Sequence, residues 1–238
     1  MDRPMTFAVI IPTLNEAQSL AGTLASIGPS NRVEVIVADG GSSDATTSIA
    51  AAHGARVITV TGGRSAQMNA AVEASDARLL VFVHADTRLP RGWLSVVDRI
   101  LADPRVALGG FQLAIKGATK PERIIAALAN QRSRTWGYPY GDQGLFLRRA
   151  TFEQLAGFAD MPNMEDRDLA RRARMLGRIV IADAFAITSP RRWRKLGVVR
   201  TTAINQLVLL GYRLGVPIDR LAAFYRKERG VTPKAHKE

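Results

Sequence analysis

The sequence contains no cysteine. That absence excludes a disulfide framework, a thiol nucleophile and a thiolate zinc site, and it suits a reducing compartment. Long apolar runs are also missing: no stretch reaches the roughly 18 to 20 residues that span a bilayer. The nearest approach, Thr201 to Val216, is broken by Asn205, Gln206 and Arg213, so a buried or interfacial helix is expected there. The opening MDRPMTFAVIIPTLNE has too short an apolar part for a signal peptide, and Pro12, Asn15 and Glu16 interrupt it. A cytoplasmic location is therefore the expectation. Neither the G-x-G-x-x-G dinucleotide fingerprint nor a G-x-x-x-x-G-K-[ST] phosphate loop occurs, which argues against hydride transfer and P-loop NTPase chemistry. No zinc knuckle or RNA-binding aromatic motif is present, and no internal repeat.

What is present suits a globular chain with a large core. The 238 residues are 47% hydrophobic and 23% charged, enough for one domain or one domain with an appendage. The net charge is +12 and unevenly placed: from Ile187 onward, twelve Lys or Arg face three Asp or Glu. Such a basic tail suits nucleic acid, anionic lipid or a phosphorylated substrate, and equally a solvated surface.

Strand and helix signals alternate through the first hundred residues. Apolar runs at Phe7 to Pro12, Val33 to Asp39, Arg56 to Val60 and Leu79 to Val83 read as strands. The last, LLVFV, is nearly all apolar, as a strand covered on both faces should be. Helical segments are expected at Ala17 to Ile27, with Leu20, Leu24 and Ile27 on one face, and at Ala45 to Ala52, Ser65 to Ala74 and Gly92 to Leu101. Beyond these, strands are expected at Val106 to Ile115, Gly144 to Leu147 and Arg178 to Ala182, and helices at Pro121 to Thr135 and Glu165 to Leu176. The last fifty residues read as helical and basic. The pattern predicts an α/β fold: a mostly parallel, Rossmann-like central sheet flanked by helices. The expected division is a catalytic domain over 1–190 and a basic helical extension over 191–238.

Open parallel sheets bind ligands beyond the carboxyl ends of their strands. Three polar clusters fall at those ends: Thr13, Asn15 and Glu16; Asp39-Gly40-Gly41-Ser42-Ser43-Asp44; and His84-Ala85-Asp86. Parallel strands bring them to one edge. Gly62-Gly63-Arg64 adds a flexible turn and a cation suited to phosphate. Each piece alone has a plainer reading: Asp44 can simply cap a helix, and the glycines can simply turn the chain.

These residues resemble the family 2 glycosyltransferases, which have the GT-A fold. The likeness lies in VIIPTLNE at Val9 to Glu16, VIVADGGSSD at Val35 to Asp44, HAD at His84 to Asp86, the Glu165-Asp166 pair and Arg191-Arg192-Trp193. More narrowly, the chain resembles a small bacterial subgroup found beside radical-SAM and selenium-related proteins. The resemblance implies hexosyl transfer from a nucleoside-diphosphate sugar, a UDP- or GDP-sugar. It implies that Pro12, Thr13, Glu16 and Asp39 line the nucleobase and ribose pocket. Asn15, Gly40, Gly63, Arg64, Asn69 and Ala85 complete the implied donor-binding set. Asp86 would close the D-x-D metal motif and hold Mg²⁺ or Mn²⁺, Asp166 would be the catalytic base, and Arg191, Arg192 and Trp193 would lie near the diphosphate and acceptor. Two departures stand out. His84 replaces the first aspartate of D-x-D, leaving one carboxylate, and the glutamine of Q-x-x-R-W is missing, which argues against a processive polymerase.

With one base and no covalent nucleophile in view, a single inverting displacement is the economical mechanism. Arg64 with Arg191 or Arg192 could hold fixed positive charge against the leaving diphosphate. Glu165-Asp166 has a plainer reading too, as a helix start favoured by the dipole or as partners of Arg167 and Arg171. Gly141-Asp142-Gln143-Gly144 could position donor sugar or acceptor, or merely enter a strand. Trp136, Tyr138 and Tyr140 could form a sugar platform or pack on the sheet. The acceptor is unidentified. A lipid-linked one would suit the Pro121–Thr135 and Thr201–Val216 helices, which are apolar enough to touch the inner face of a membrane. The competing reading is a non-catalytic nucleotide or nucleic-acid binding protein that uses the basic tail.

Overall fold

The computed structural model describes residues 6–228; within them the side chains of Arg192, Lys195, Arg213 and Arg226 lie outside the described part. Among the described residues eight strands form one sheet: β1 (Phe7–Thr13), β2 (Val33–Asp39), β3 (Arg56–Thr59), β4 (Leu79–Phe82), β5 (Thr87–Arg88), β6 (Val106–Ile115), β7 (Leu145–Arg148) and β8 (Arg178–Thr188). Their order is β3-β2-β1-β4-β7-β6-β8-β5. The helices are α1 (Ala17–Ile27), α2 (Thr46–Ala52), α3 (Arg64–Glu73), α4 (Trp93–Leu101), α5 (Lys120–Trp136), α6 (Arg149–Gln154), α7 (Glu165–Leu176), α8 (Arg191–Leu196), α9 (Val198–Arg213) and α10 (Ile218–Glu228).

The expected parallel sheet is there, in β3, β2, β1 and β4, and in the β6–β8 pair. The whole is mixed, because β7 runs antiparallel to β4 and β6, and β5 antiparallel to β8. β8 runs six residues past the expected Ala182 end. Its pairing with β6 shifts register between Gly110 and Gln112, and that irregularity breaks the alternation from which strands are read.

The sheet carries a core on each face. In β1, Phe7, Val9 and Ile11 face the cluster built with α1 and α4, while Ala8 and Ile10 face the one built with α3, α6 and α7. That two-sided burial is what the period of two requires of a strand covered twice. A fully buried Ile or Phe of this kind contributes roughly 1.5–3 kcal/mol. Trp93, packed edge-on against Phe7, also donates its indole N–H to Ile27 O at 3.0 Å, fastening α4 to α1. A smaller apolar cluster of Leu113, Ile115, Ala126 and Trp193 joins α8 to α5 and β6. α5 starts with a capping box: the Glu122 carboxylate accepts from the Thr119 amide at 2.7 Å and from its hydroxyl at 2.9 Å. Among the described residues no helix is long and apolar enough to cross a membrane.

Candidate active site

The loops after β1 and β2 are stitched together at the carboxyl edge of the sheet. The Asn15 amide donates to Ser42 Oγ at 2.8 Å, and Asn15 Oδ1 accepts the Ser43 amide at 2.9 Å. Asn15 holds a left-handed φ of 55° to do so. The Glu16 amide donates to Thr46 Oγ1 at 2.8 Å. Asp44 accepts from the Ala17 amide at 3.2 Å and from the Thr46 amide at 3.0 Å, so it caps the starts of α1 and α2 at once.

Asp39 organises the same turn from inside. It is buried, and its carboxylate accepts the Thr13 hydroxyl at 2.9 Å, the Gly41 amide at 3.0 Å, and the Ser42 amide and hydroxyl at 2.7 and 2.5 Å. Burial would raise its pKa, but these hydrogen bonds outweigh it and hold the carboxyl below its ordinary range. Pro12 pairs with Ala38 in the β1–β2 register. The Gly40 amide donates to Thr13 O at 2.8 Å. Gln67, which the sequence reading passed over, donates from Nε2 to both Thr13 O and Ala38 O at 2.8 Å, clamping the ends of β1 and β2. Nothing local to α3 marks it, because its partners lie 54 and 29 residues away.

The third cluster reaches this edge through β5. Thr87 pairs with Thr188 and Arg88 with Ile187, and the Ser189 amide donates to Asp86 O at 3.1 Å. That pairing carries the start of α8 to the HAD loop. Arg191 Nη2 then lies 2.8 and 2.6 Å from the two Glu16 oxygens and 3.9 Å from Asp86 Oδ2. Burial raises the Glu16 carboxyl, Arg191 opposes it, and the Asp86 charge adds to it. Ala85 is buried, its carbonyl accepting the Thr23 hydroxyl at 2.8 Å. Asp86 is the carboxylate left open at this rim. Its side chain is 23% exposed, and among the described residues it takes no side-chain hydrogen bond. No group of three or more His, Asp or Glu that could hold a metal exists among the described residues. One open carboxylate still fits Mg²⁺ or Mn²⁺, hard ions that are held by one or two carboxylates when substrate phosphates complete the shell.

A second run of contacts leads from this loop to α7. Gly63, at φ 90°, opens α3. Arg64 follows, with Nε 3.0 Å from Glu165 Oε1 and Nη1 3.4 Å from His84 Nε2. Burial raises the Glu165 carboxyl, Arg64 opposes that shift, and Asp166 adds to it. Asp166 accepts the Gly141 amide on Oδ2 at 2.8 Å and the Arg167 amide on Oδ1 at 2.6 Å. Before it, Met164 holds a left-handed φ of 69°, backbone strain of the sort that gathers at functional sites. A side chain at Gly141 would put its Cβ 2.3 Å from His84 Nε2, so a larger residue there must push the His84 ring aside. The pairing considered for Glu165-Asp166 with Arg167 and Arg171 is not what forms. Asp168 takes Arg171 and Arg172 at 2.9 and 2.7 Å, and Arg167 lies over the Tyr138 ring.

The Gly141–Gln143 turn is anchored from beneath. Gln143 is fully buried, its Oε1 accepting from the Ser133 hydroxyl at 2.7 Å and its Nε2 donating to Phe111 O at 2.9 Å. A cavity of about 590 Å³ opens beside it, reached by Arg64, His84, Asp142 and Asp166 and walled by α5 and α9. Trp193 is buried in the α5–α8 cluster and touches this cavity. Tyr140 lies under the Arg132 guanidinium at 3.7 Å. Asn69 is not brought to the rim by any contact: its amide exchanges hydrogen bonds of 2.9 Å with the Phe158 backbone. The Arg192 side chain lies outside the described residues.

Comparisons with known proteins bear on the fold and the family. The sequence profile described as "Glycosyl transferase family 2" matches residues 8–155. No curated protein sequence matches the chain. Among solved structures, the mannosyltransferase PcManGT from Pyrobaculum calidifontis, in complex with GDP-Man and Mn²⁺, superposes with a TM-score of 0.69 at 22% identity, over 96% of this chain and 70% of that one. TarS from S. aureus, with UDP-GlcNAc, gives 0.61 at 18% identity, over 78% of this chain and 58% of that one. Glucosyl-3-phosphoglycerate synthase from Mycobacterium tuberculosis, with Mn²⁺, UDP and phosphoglyceric acid, gives 0.60 at 20% identity, over 89% and 79%. These likenesses place the curled mixed sheet and its helices in the GT-A fold, and with the profile match covering most of the chain, the protein belongs to glycosyl transferase family 2 and is a glycosyltransferase.

Proposed function

We propose that the protein moves a hexosyl group from a UDP- or GDP-sugar to an acceptor hydroxyl in one inverting displacement, with Asp166 as general base. The observation that carries this reading is the setting of Asp166. Two backbone amides fix its carboxylate, from Gly141 at 2.8 Å and Arg167 at 2.6 Å, and it faces the cavity that runs off between α5 and α9. The acceptor oxygen bonds to the anomeric carbon as the bond from that carbon to the diphosphate oxygen breaks. The diphosphate leaves with the electron pair, and the hydroxyl proton passes to Asp166. Attack from the Asp166 side on a donor held at the opposite rim inverts the anomeric centre.

The donor is assigned to the rim of Pro12, Thr13, Asn15, Glu16, Asp39 and Gly40, with Asp86 as the protein ligand of Mg²⁺ or Mn²⁺. Bound there, the metal supplies Lewis acidity to the departing diphosphate. Arg64 and Arg191 add fixed positive charge. Arg191 is held by Glu16 and stands within 4 Å of Asp86, so it can turn from one carboxylate to the diphosphate without crossing the site. Residues 1–190 then form the catalytic domain, and 191–238 an extension whose α8 and α9 wall the acceptor side. The same reading keeps the protein in the bacterial cytoplasm, its basic segment toward the inner face of the membrane. The subgroup beside radical-SAM and selenium-related proteins remains the family branch we favour.

Thermal unfolding with nucleoside diphosphates and their sugars, with and without Mn²⁺, tests donor binding. A ligand at a hundred times its Kd adds about 2.7 kcal/mol to stability, an easily read shift. Asp166→Asn should keep that shift and lose about 10²- to 10⁴-fold in turnover. Wild-type turnover in Asp166→Asn would remove the base assignment. Binding of mixed-sequence RNA at physiological salt, with no nucleotide shift, would favour the non-catalytic reading instead.

A further inference from the structure

α5 is built the wrong way round for a surface helix. Its face toward the sheet buries Glu122, Ala126, Asn130 and Ser133, while Ile124, Leu128 and Trp136 stand 61%, 65% and 55% exposed. α9 buries Ile204 and Val208 but also leaves Leu207 and Leu210 exposed. A water-facing helix puts its large apolar side chains inward, and grouped exposed ones mark a binding surface. Here the two helices flank one cavity. Leu128, Ala129 and Ile125 line it from α5, and Val208 and Leu209 from α9. Polar and charged groups are gathered where it meets the catalytic turn, at Arg64, His84, Asp142 and Asp166. At about 590 Å³ it lies in the range that takes up small-molecule ligands.

Resting on the transferase reading, we propose that the acceptor is an amphiphile: its hydroxyl meets Asp166, and a hydrocarbon chain runs out between α5 and α9. A compact hydrophilic acceptor would leave Leu128, Leu209 and Trp136 facing water in both the free and bound states. A chain covers them, and each buried methylene strengthens binding by roughly two- to fourfold. Thr202, Asn205 and Gln206, also in the α9 wall, give polar contacts for the part that joins hydroxyl to chain.

The cavity supplies its own probe, because Trp136 and Trp193 line it while Trp93 is buried in the main core. The full-length protein is titrated with ω-bromoalkanols of eight, ten and twelve carbons below their aggregation limits, and tryptophan quenching by bromine is followed. The expected result is saturable quenching that tightens two- to fourfold per methylene. The signal should fall in Trp136→Phe to the part that Trp193 reports, and affinity should fall at least tenfold in Leu128→Arg. Leu128 is mostly exposed, so the arginine is compatible with folding, which the nucleotide-dependent thermal shift of Leu128→Arg verifies. Quenching without saturation, without chain-length dependence, or unchanged in Leu128→Arg would overturn the proposal. Quenching by brominated phosphatidylcholine vesicles but not by the free alkanols would also overturn it, and would make this face a membrane-resting surface. The nucleotide shift is read separately: its absence in the wild type would strike the transferase reading, whereas its presence beside failed alkanol binding would strike only the amphiphile.

Discussion

Replacing Arg64 with alanine exposes how much the site depends on one buried carboxylate. The Glu165 side chain is 4% exposed and meets Arg64 at 3.0 Å, whereas Arg64 is 39% exposed. Burial already raises the Glu165 carboxyl above its ordinary 4.5, against the pull of Arg64. Without Arg64 the group must stay ionised in a dry site or take a proton. Protonating a carboxyl of ordinary pKa 4.5 at pH 7 costs about 3.4 kcal/mol, at 1.36 kcal/mol per pH unit, and this caps the penalty. Stripping one partner from a fully buried pair costs about 3–5 kcal/mol, but water already shares the solvation of the half-exposed Arg64, so about 2 kcal/mol is expected. The sign with pH follows. In the variant the folded-state pKa rises further above the unfolded one, so the folded state holds the proton more tightly. Stability is then regained as pH falls and lost as pH rises through the window above 4.5. Urea unfolding at pH 7 and pH 5 is the assay. The deficit should shrink to under about 1 kcal/mol at pH 5, where the protonation cost is small. Arg64→Ala/Glu165→Gln should regain most of the loss at pH 7. An equal deficit at both pH values, or a double variant no more stable than Arg64→Ala, refutes the argument.

Gly141→Ala should keep the fold but lose about ten- to a hundredfold in turnover, because the new Cβ displaces His84 and shifts the amide that fixes Asp166; steady-state kinetics beside an unfolding curve checks this. Arg149→Met removes donors to Val72 O, Ser75 O and Ala77 O at the end of α3 and should cost about 1.5–3 kcal/mol in urea unfolding. Leu169→Ala, at a site with no exposure on the α7 core face, should cost about 2–5 kcal/mol. Hydrogen bonds from Arg105 lower the Asp103 carboxyl from 3.8 to about 2. Its contribution is therefore present above pH 3.8 and lost as pH falls toward 2, so the acid limb of the stability curve should be shallower there in Asp103→Asn than in the wild type.

The chain's own order made much of this legible. Most of the β1–α4 stretch could be read because β1, β2 and β4 are largely apolar runs and α1 and α4 repeat at the helical period, patterns that neighbours in sequence carry by themselves. The loops at the strand ends were legible for the same reason, since parallel pairing leaves them nowhere else to go. What stayed hidden depends on partners far along the chain. β5 is a two-residue strand with no period to detect, and it exists because Thr87 and Arg88 find Thr188 and Ile187 about a hundred residues later. The far end of β8 was lost at its register shift. Gln67 reads as an ordinary helix residue until its amide is seen clamping two strand ends.

Local periodicity and turn residues thus determined the alternating elements, the glycine turns and the carboxylates gathered at one edge. Tertiary structure alone decided that Arg191 would stand between Glu16 and Asp86, that Glu165 would pair with Arg64 rather than Arg171, and that α5 and α9 would enclose a cavity ending at Asp166. A period is set by the backbone one residue at a time, whereas a contact across a hundred residues or more exists only once every intervening element has packed.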